Sequence, residues 1–170
     1  GVLPSDVVYG DEAAPVTVYE FASLTCGFCA RFHAESHQDF LDGWVETGKA
    51  RLVFRHFPLD SAALAAAKAV SCLPHGERAD AVSKLLGDTR GWAGHPQPAE
   101  AVLSRVSGPA RQARDVRACF ADGATEAQVM EALMTGRRAG VSATPSFIVN
   151  GRVYAGFMSA DALGRIVAAA

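Results

Sequence analysis

Two cysteines separated by two residues, Cys26-Gly27-Phe28-Cys29, are the part of this chain whose types and spacing best suit covalent chemistry. They follow a β-type run, Val16-Thr17-Val18-Tyr19-Glu20-Phe21-Ala22, and open a helical pattern. On one helical turn two intervening residues bring the sulfurs within bonding reach. The first sulfur then lies at the helix N-terminus, where unpaired N–H groups and the helix dipole favour a thiolate. Thiolate is the reactive form in disulfide exchange, so position alone activates Cys26. Cys29, one turn inside the helix, is expected to be buried and to resolve a mixed disulfide.

The elements that must hold this pair are legible in order. Val7-Val8-Tyr9 reads as a short strand, and 16–22 as a strand covered on both faces. From Gly27 to about Thr47, Cys29, Phe32, Ser36, Phe40 and Trp44 recur at helical spacing, with Gly48 as the stop. Residues 51–57 form a second strand. A helix between two strands predicts that they are parallel. Residues 60–139 carry almost no strand signal. Helices are expected from Asp60 or Ser61 to about Cys72, over 77–87, 99–106 and 109–121, with a loop at 91–98. Thr125-Glu126-Ala127-Gln128 has the form of a capping box starting a helix to about Ala139. Ser146-Phe147-Ile148-Val149 and Arg152-Val153-Tyr154 flank Asn150-Gly151, a hairpin signal. Ser159 is placed to cap a last helix over 160–169.

Composition excludes several classes. The net charge of −2 gives no electrostatic case for nucleic acid or an anionic membrane surface. Arg105, Arg111, Arg114 and Arg117 are interleaved with Glu100, Asp115 and Asp122, which reads as a solvated helix face. No apolar run approaches a bilayer span, and the first residues lack the form of a signal peptide. A start on Gly1 fits a processed chain. Of the four cysteines, Cys26 and Cys29 form the local pair, leaving Cys72 and Cys119 on separate expected helices, either bridged or as two buried thiols.

The order of elements, with Cys-x-x-Cys after the first strong strand and Thr144-Pro145 before the hairpin, resembles the thioredoxin fold. The helical block makes the chain resemble the DsbA family of bacterial thiol–disulfide oxidoreductases. The segments that carry the likeness run from Glu20 to Cys29, from Phe54 to Leu59, and from Val141 to Gly151. The resemblance implies an α/β fold, a mixed sheet flanked by helices with an inserted all-helical domain. The thioredoxin-like part is expected at 1–59 and 136–170 and the insertion at 60–135. It further implies that Pro145 is cis, that the Thr144 backbone pairs with an extended substrate, and that Glu20 assists proton transfer near Cys29. Some relatives carry a second, non-catalytic disulfide, which Cys72–Cys119 matches.

Each role has a plainer counterpart. Glu20 is otherwise a carboxylate at a sheet edge or one paired with Arg55 or another cation. Pro145 is otherwise an ordinary trans proline at a strand start. Phe28 is expected at the substrate surface; Phe157 and Met158 serve that surface or the core equally well. Cys26, Cys29, His33 and His37 also have a spacing compatible with a soft metal, so a metal-binding or chaperone module using Cys26, Cys29 and His33 is the remote alternative. Without a metal, His33 is a partly exposed residue tuning the sulfurs and His37 a surface residue; His56, His75 and His95 have no assigned role.

No cofactor beyond the Cys26–Cys29 disulfide is required. Phe28 stands where a thiolate-stabilising histidine separates the cysteines in the best-known member of that family, which implies a weaker oxidant. Cys-Gly-aromatic-Cys resembles the bacterial disulfide isomerases, but only about fifteen residues precede the first strong strand, leaving no room for their dimerisation domain. The expectation is a monomeric periplasmic dithiol oxidase acting on exported polypeptides and reoxidised by a membrane redox partner. A reductase or isomerase with the same residues is the alternative.

Overall fold

The computed structural model describes all 170 residues. Strands β1 (Val7–Tyr9), β2 (Val16–Ala22), β3 (Ala50–His56), β4 (Ser146–Val149) and β5 (Arg152–Ala155) form one sheet in the order β1-β3-β2-β4-β5. β2 and β3 are parallel, as their helical connection requires; every other pair is antiparallel. Asn150 (φ 48°) and Gly151 (φ 76°) turn the β4–β5 hairpin, matching the paired positive φ of a two-residue loop.

The β2–β3 connection is helical over 27–45 (α1). Its α-helical turns, Gly27–Phe32 and Gln38–Phe40, alternate with wider π-helical stretches, His33–His37 and Leu41–Val45. A π turn takes in an extra residue and shifts the faces that follow. Cys29, Phe32, Ser36 and Phe40 are buried as the spacing predicts, and His37 joins them at 6% exposed. His37 is therefore not the surface residue expected above.

Strand register sorts the sheet residues by face, because directly paired residues point the same way. Val7, Tyr9, Val18, Glu20, Leu52, Phe54, Phe147 and Val149 share one face. α1 and the last helix, α8 (Ala160–Ala169), cover it, burying Phe32, Phe40, Leu163 and Val167 against Val18, Leu52 and Phe147. Ser159 caps α8 by accepting from the Ala162 N–H at 3.1 Å. On the other face Phe21 packs with Phe57, Leu133 and Val141.

The helical block comprises α2 (Ser61–Ser71), α3 (His75–Gly87), α4 (Thr89–Ala93), α5 (Pro98–Val106), α6 (Ala110–Ala121) and α7 (Gly123–Ala139). Its core, built on Ala66, Val70, Val82, Leu85, Trp92 and Val102, is continuous with Ala22, Leu24, Cys29 and Phe54. The block thus sits on the cysteine end of the sheet. α7 approaches so closely that a Cβ on Gly136 would lie 2.8 Å from the Phe21 ring.

Two local expectations are corrected. The expected loop at 91–98 begins as α4, because Trp92 is fully buried and its Nε1 donates to the Leu85 carbonyl at 2.9 Å. The cap of α7 is Asp122, whose Oδ1 accepts from the Ala124 N–H at 2.9 Å, and not Thr125. Thr125 is already inside the helix, and its hydroxyl donates to the Cys119 carbonyl at 2.8 Å. Cys72 and Cys119 are bridged, joining the end of α2 to α6 across 47 residues of sequence. Closing such a loop contributes about 2–4 kcal/mol.

The N-terminal segment is tied down from inside. Arg55 donates through Nε and Nη2 to the two Asp6 carboxylate oxygens at 3.0 and 2.8 Å, both side chains being buried. Arg78 donates to the carbonyls of Pro4 and Asp6 and, within the helical block, to those of Ser71 and Leu73. Arg117 pairs with Glu100 in the open, consistent with the mixed-charge helix face.

Candidate active site

Cys26 is the residue before the first helical turn of α1, in extended conformation (φ −80°, ψ 122°), and its carbonyl accepts the Ala30 N–H at 3.0 Å. Its thiol donates to the carbonyl of Thr144 at 3.4 Å. Thr144 precedes Pro145 through a cis peptide bond, so the loop before β4 lies against the first cysteine. Here both cysteines are free thiols, Cys26 half-buried and Cys29 fully buried.

The two sulfurs are held in unequal states. The Cys26 thiol is lowered to about 5, chiefly by the hydrogen bond from the Cys29 side chain; partial burial opposes this. The Thr144 side chain and the backbone N–H groups of Cys29 and Phe28 lower it further. The buried Thr144 hydroxyl has no partner while Cys26 is a thiol, so it is free to donate once the sulfur is charged. Cys29 is pushed far up by the same sulfur–sulfur hydrogen bond and by burial, with a smaller push from Glu20. The pair thus has a ready nucleophile and a second sulfur that reacts only when something takes its proton.

Glu20 is a candidate for that task. It is 2% exposed on β2, and burial raises its carboxyl to about 8. It does not pair with Arg55. Phe21 is the residue registered with Arg55, one position along, so Arg55 lies on the opposite face and is taken by Asp6. A carboxyl raised from 4.5 to about 8 binds its proton more tightly folded than unfolded. Its contribution to stability is complete below pH 4.5 and is lost as pH rises toward 8. Glu20→Gln is therefore expected to equal the parent at pH 4 and to exceed it by roughly 3 kcal/mol at pH 7. Urea unfolding at both values reads this; a gap that does not widen between pH 5 and 8 removes the buried-carboxyl assignment.

The loop from Ser23 to Thr25 that delivers Cys26 is braced by contacts that no local signal in the sequence announces. The Thr25 hydroxyl donates to Asp60 at 2.8 Å, and Ser23 Oγ lies 3.2 Å from it. Asp60 also caps α2 through the Ala63 N–H, which couples the motif to the start of the helical block. Nothing local in the sequence links residues 35 positions apart, so this bracing was not legible.

Phe28 stands out at 60% exposed beside the cysteines, with Leu59 at 55% on the Asp60 side. Phe157 and Met158 pack against the core beneath α1, and Arg31 sits over the Phe157 ring at 4.1 Å. His33 Nε2 is 2.9 Å from Ser83 Oγ on α3, and its ring stacks on His37 with centroids 4.3 Å apart. No group of three or more His, Cys, Asp or Glu side chains is arranged to hold a metal ion.

A family model described as Thioredoxin matches residues 3–169. The chain belongs to this thioredoxin family. Membership and the paired sulfurs give it the chemistry of a thiol–disulfide oxidoreductase. No curated protein matches it in sequence. Among solved structures, Wolbachia pipientis alpha-DsbA1 is 22% identical with a TM-score of 0.85, covering 99% of this chain and 92% of that one. A protein-disulfide isomerase from Novosphingobium aromaticivorans is 22% identical at 0.82, covering 99% and 98%. Chlamydia trachomatis DsbA is 19% identical at 0.81, covering 96% and 90%. The thioredoxin fold with a helical insertion, expected from the sequence, is thereby established.

Proposed function

We propose that this protein is a dithiol oxidase that donates the Cys26–Cys29 disulfide to cysteine-bearing exported polypeptides. The observation that carries the reading is the depressed Cys26 thiol at the start of α1, 3.4 Å from the Thr144 carbonyl. A stabilised thiolate favours the reduced form of the site, and a site that prefers to be reduced oxidises its substrates. Gly27-Phe28 offers no cationic side chain, yet the N–H groups of the turn and the second sulfur supply stabilisation without one.

The roles follow from position. A substrate thiolate attacks Cys26 Sγ, the disulfide breaks, and Cys29 leaves as a thiolate that takes a proton from Glu20. A second substrate thiolate then attacks the substrate sulfur of the mixed disulfide and expels the Cys26 thiolate. Thr144 and cis Pro145 present an extended edge to the substrate chain, a form of strand addition. Phe28 adds apolar contact. Residues 60–135 act as a helical insertion in the thioredoxin-like part formed by 1–59 and 136–170. The protein works as a monomer in the periplasm, and a membrane redox partner removes the electrons it collects. The redox group is the cysteine pair itself. No helix is long and apolar enough to cross a membrane.

An isomerase or reductase would use the same residues in the other direction, and the exposed Phe28, suited to holding a misfolded chain, favours it. Equilibration of the cysteine pair against a glutathione series decides. The oxidase reading expects a potential above about −200 mV; a value near the about −270 mV typical of thioredoxins overturns it.

A further inference from the structure

The backbone that carries the Cys26 sulfur is held unequally on its two sides. Cys26 is extended, and from there its sulfur meets the N–H groups of Phe28 and Cys29 and the Thr144 carbonyl. On the helix side the Ala30 N–H donates to the Cys26 carbonyl at 3.0 Å. The next residue, Gly27, has no Cβ, and nothing lies within 4 Å of where one would stand. Glycine restricts the chain least, so this side leaves Cys26 room to turn.

The other side is held by bonds to a distant segment. The Cys26 N–H donates to the Ser23 carbonyl at 3.1 Å, which closes a tight turn over 23–26. Within it the Thr25 hydroxyl donates to Asp60 Oδ2 at 2.8 Å. Threonine is branched at Cβ and stiff about χ1, so one hydrogen bond fixes its side chain and, through it, the peptide leading into Cys26. Ser23 Oγ accepts the Leu59 N–H at 3.4 Å, and the Ala22 carbonyl accepts the Phe57 N–H at 2.8 Å. Residues 22–25 are thereby clipped to 57–60. Asp60 has little freedom of its own, because Oδ1 accepts the Ala63 N–H at 2.8 Å as the cap of α2. The far end of α2 is anchored in turn by the Cys72–Cys119 bridge. The Thr25–Asp60 bond is exposed, and exposed contacts contribute little to global stability. What it holds is the residue next to the nucleophile.

We infer that Thr25 and Asp60 form a latch that positions Cys26, so that the first helix of the helical block helps to set the redox chemistry of the cysteine pair. The inference deepens the exchange reading proposed above and rests on it. Thr25 acts through Cys26, and Asp60 acts through Thr25; both are positioning residues. With the latch closed, the thiolate is held where the N–H groups at the start of α1 reach it. With the latch open, the flexible turn and Gly27 let the sulfur leave those donors. The latch thus favours the reduced form of the site, and losing it makes the protein a weaker oxidant.

The test uses the full-length chain and four variants: Thr25→Val, Thr25→Ser, Asp60→Ser and the double change Thr25→Val with Asp60→Ser. Thr25→Val keeps the shape and removes the hydroxyl. Asp60→Ser keeps a good helix cap and removes the second oxygen that Thr25 uses. Two quantities are read: the Cys26 titration of the reduced chain, by thiolate absorbance, and the potential of the pair against a glutathione series. One net hydrogen bond corresponds to about threefold to tenfold in an equilibrium. Thr25→Val is expected to weaken thiolate stabilisation by that factor and to lower the potential by about 15–30 mV. Thr25→Ser should restore both to parent values. Asp60→Ser should match Thr25→Val, and the double variant should be no worse than either single one.

A Thr25→Val chain with the parent's titration and potential overturns the latch, whatever its melting temperature, since the bond is then only structural. So does a double variant whose shift is the sum of the two single shifts, because independent residues add. If Thr25→Val fails to fold, Asp60→Ser carries the same comparison, and parent values there overturn the latch. The titration needs no disulfide partner and judges the latch by itself. A parent chain that exchanges no disulfide with glutathione overturns the exchange reading instead.

Discussion

Reduced Cys26→Ser is expected to form no adduct with a disulfide-bearing peptide, and its exchange rate to fall by on the order of 10³ or more, as when an enzyme loses its nucleophile. Cys29 cannot substitute, being fully buried with its thiol pushed far above the ordinary range. Cys29→Ser should behave oppositely. Its Cys26 thiolate still attacks, one substrate sulfur leaves, and the mixed disulfide persists because no second sulfur expels it. Intact-mass spectrometry after mixing reads both: an unmodified chain for Cys26→Ser, and the mass of one peptide added to Cys29→Ser. Equal adducts on both variants would end the assignment of Cys26 as nucleophile.

Asp6→Ala is expected to destabilise the fold by about 3–5 kcal/mol, because it leaves the buried Arg55 guanidinium without its carboxylate. That is a large share of the about 5–15 kcal/mol by which domains are stable. The ring faces of Tyr19 and Phe21, 4.8 and 5.7 Å from the guanidinium, replace only part of the lost interaction. The double change Asp6→Ala with Arg55→Met should regain much of the loss, since an apolar pair of similar volume often matches a buried ion pair. Urea midpoints of parent, single and double variants measure this; a single-variant loss below about 1 kcal/mol would mean the pair is solvated in solution.

The elements that carry local signals were legible. β2, α1, β3 and the hairpin declare themselves by apolar period, by turn residues such as Asn150-Gly151 and Gly48, and by caps such as Asp60 and Ser159. The reaction class was legible too, because the effect of a helix start on a cysteine is local. Where one signal competed with another, tertiary packing chose. Thr125 matched a capping pattern, but Asp122 took the cap and Thr125 turned to the Cys119 carbonyl. His37, expected at the surface, is buried at the end of a π-helical stretch of α1.

By itself, then, the sequence determined the order of elements and the placement of Cys26 and Cys29 at the mouth of α1, since spacing and chain direction suffice for both. Only the tertiary structure decided what surrounds those sulfurs. It set the Thr144 carbonyl against Cys26, gave Arg55 to Asp6 on the opposite face of the sheet, and buried Glu20 between Phe54 and Phe147. The physical reason is range. Helix starts, turns and strand periods depend on neighbours within a few residues, whereas proton affinities in a buried site depend on groups brought together from the whole chain.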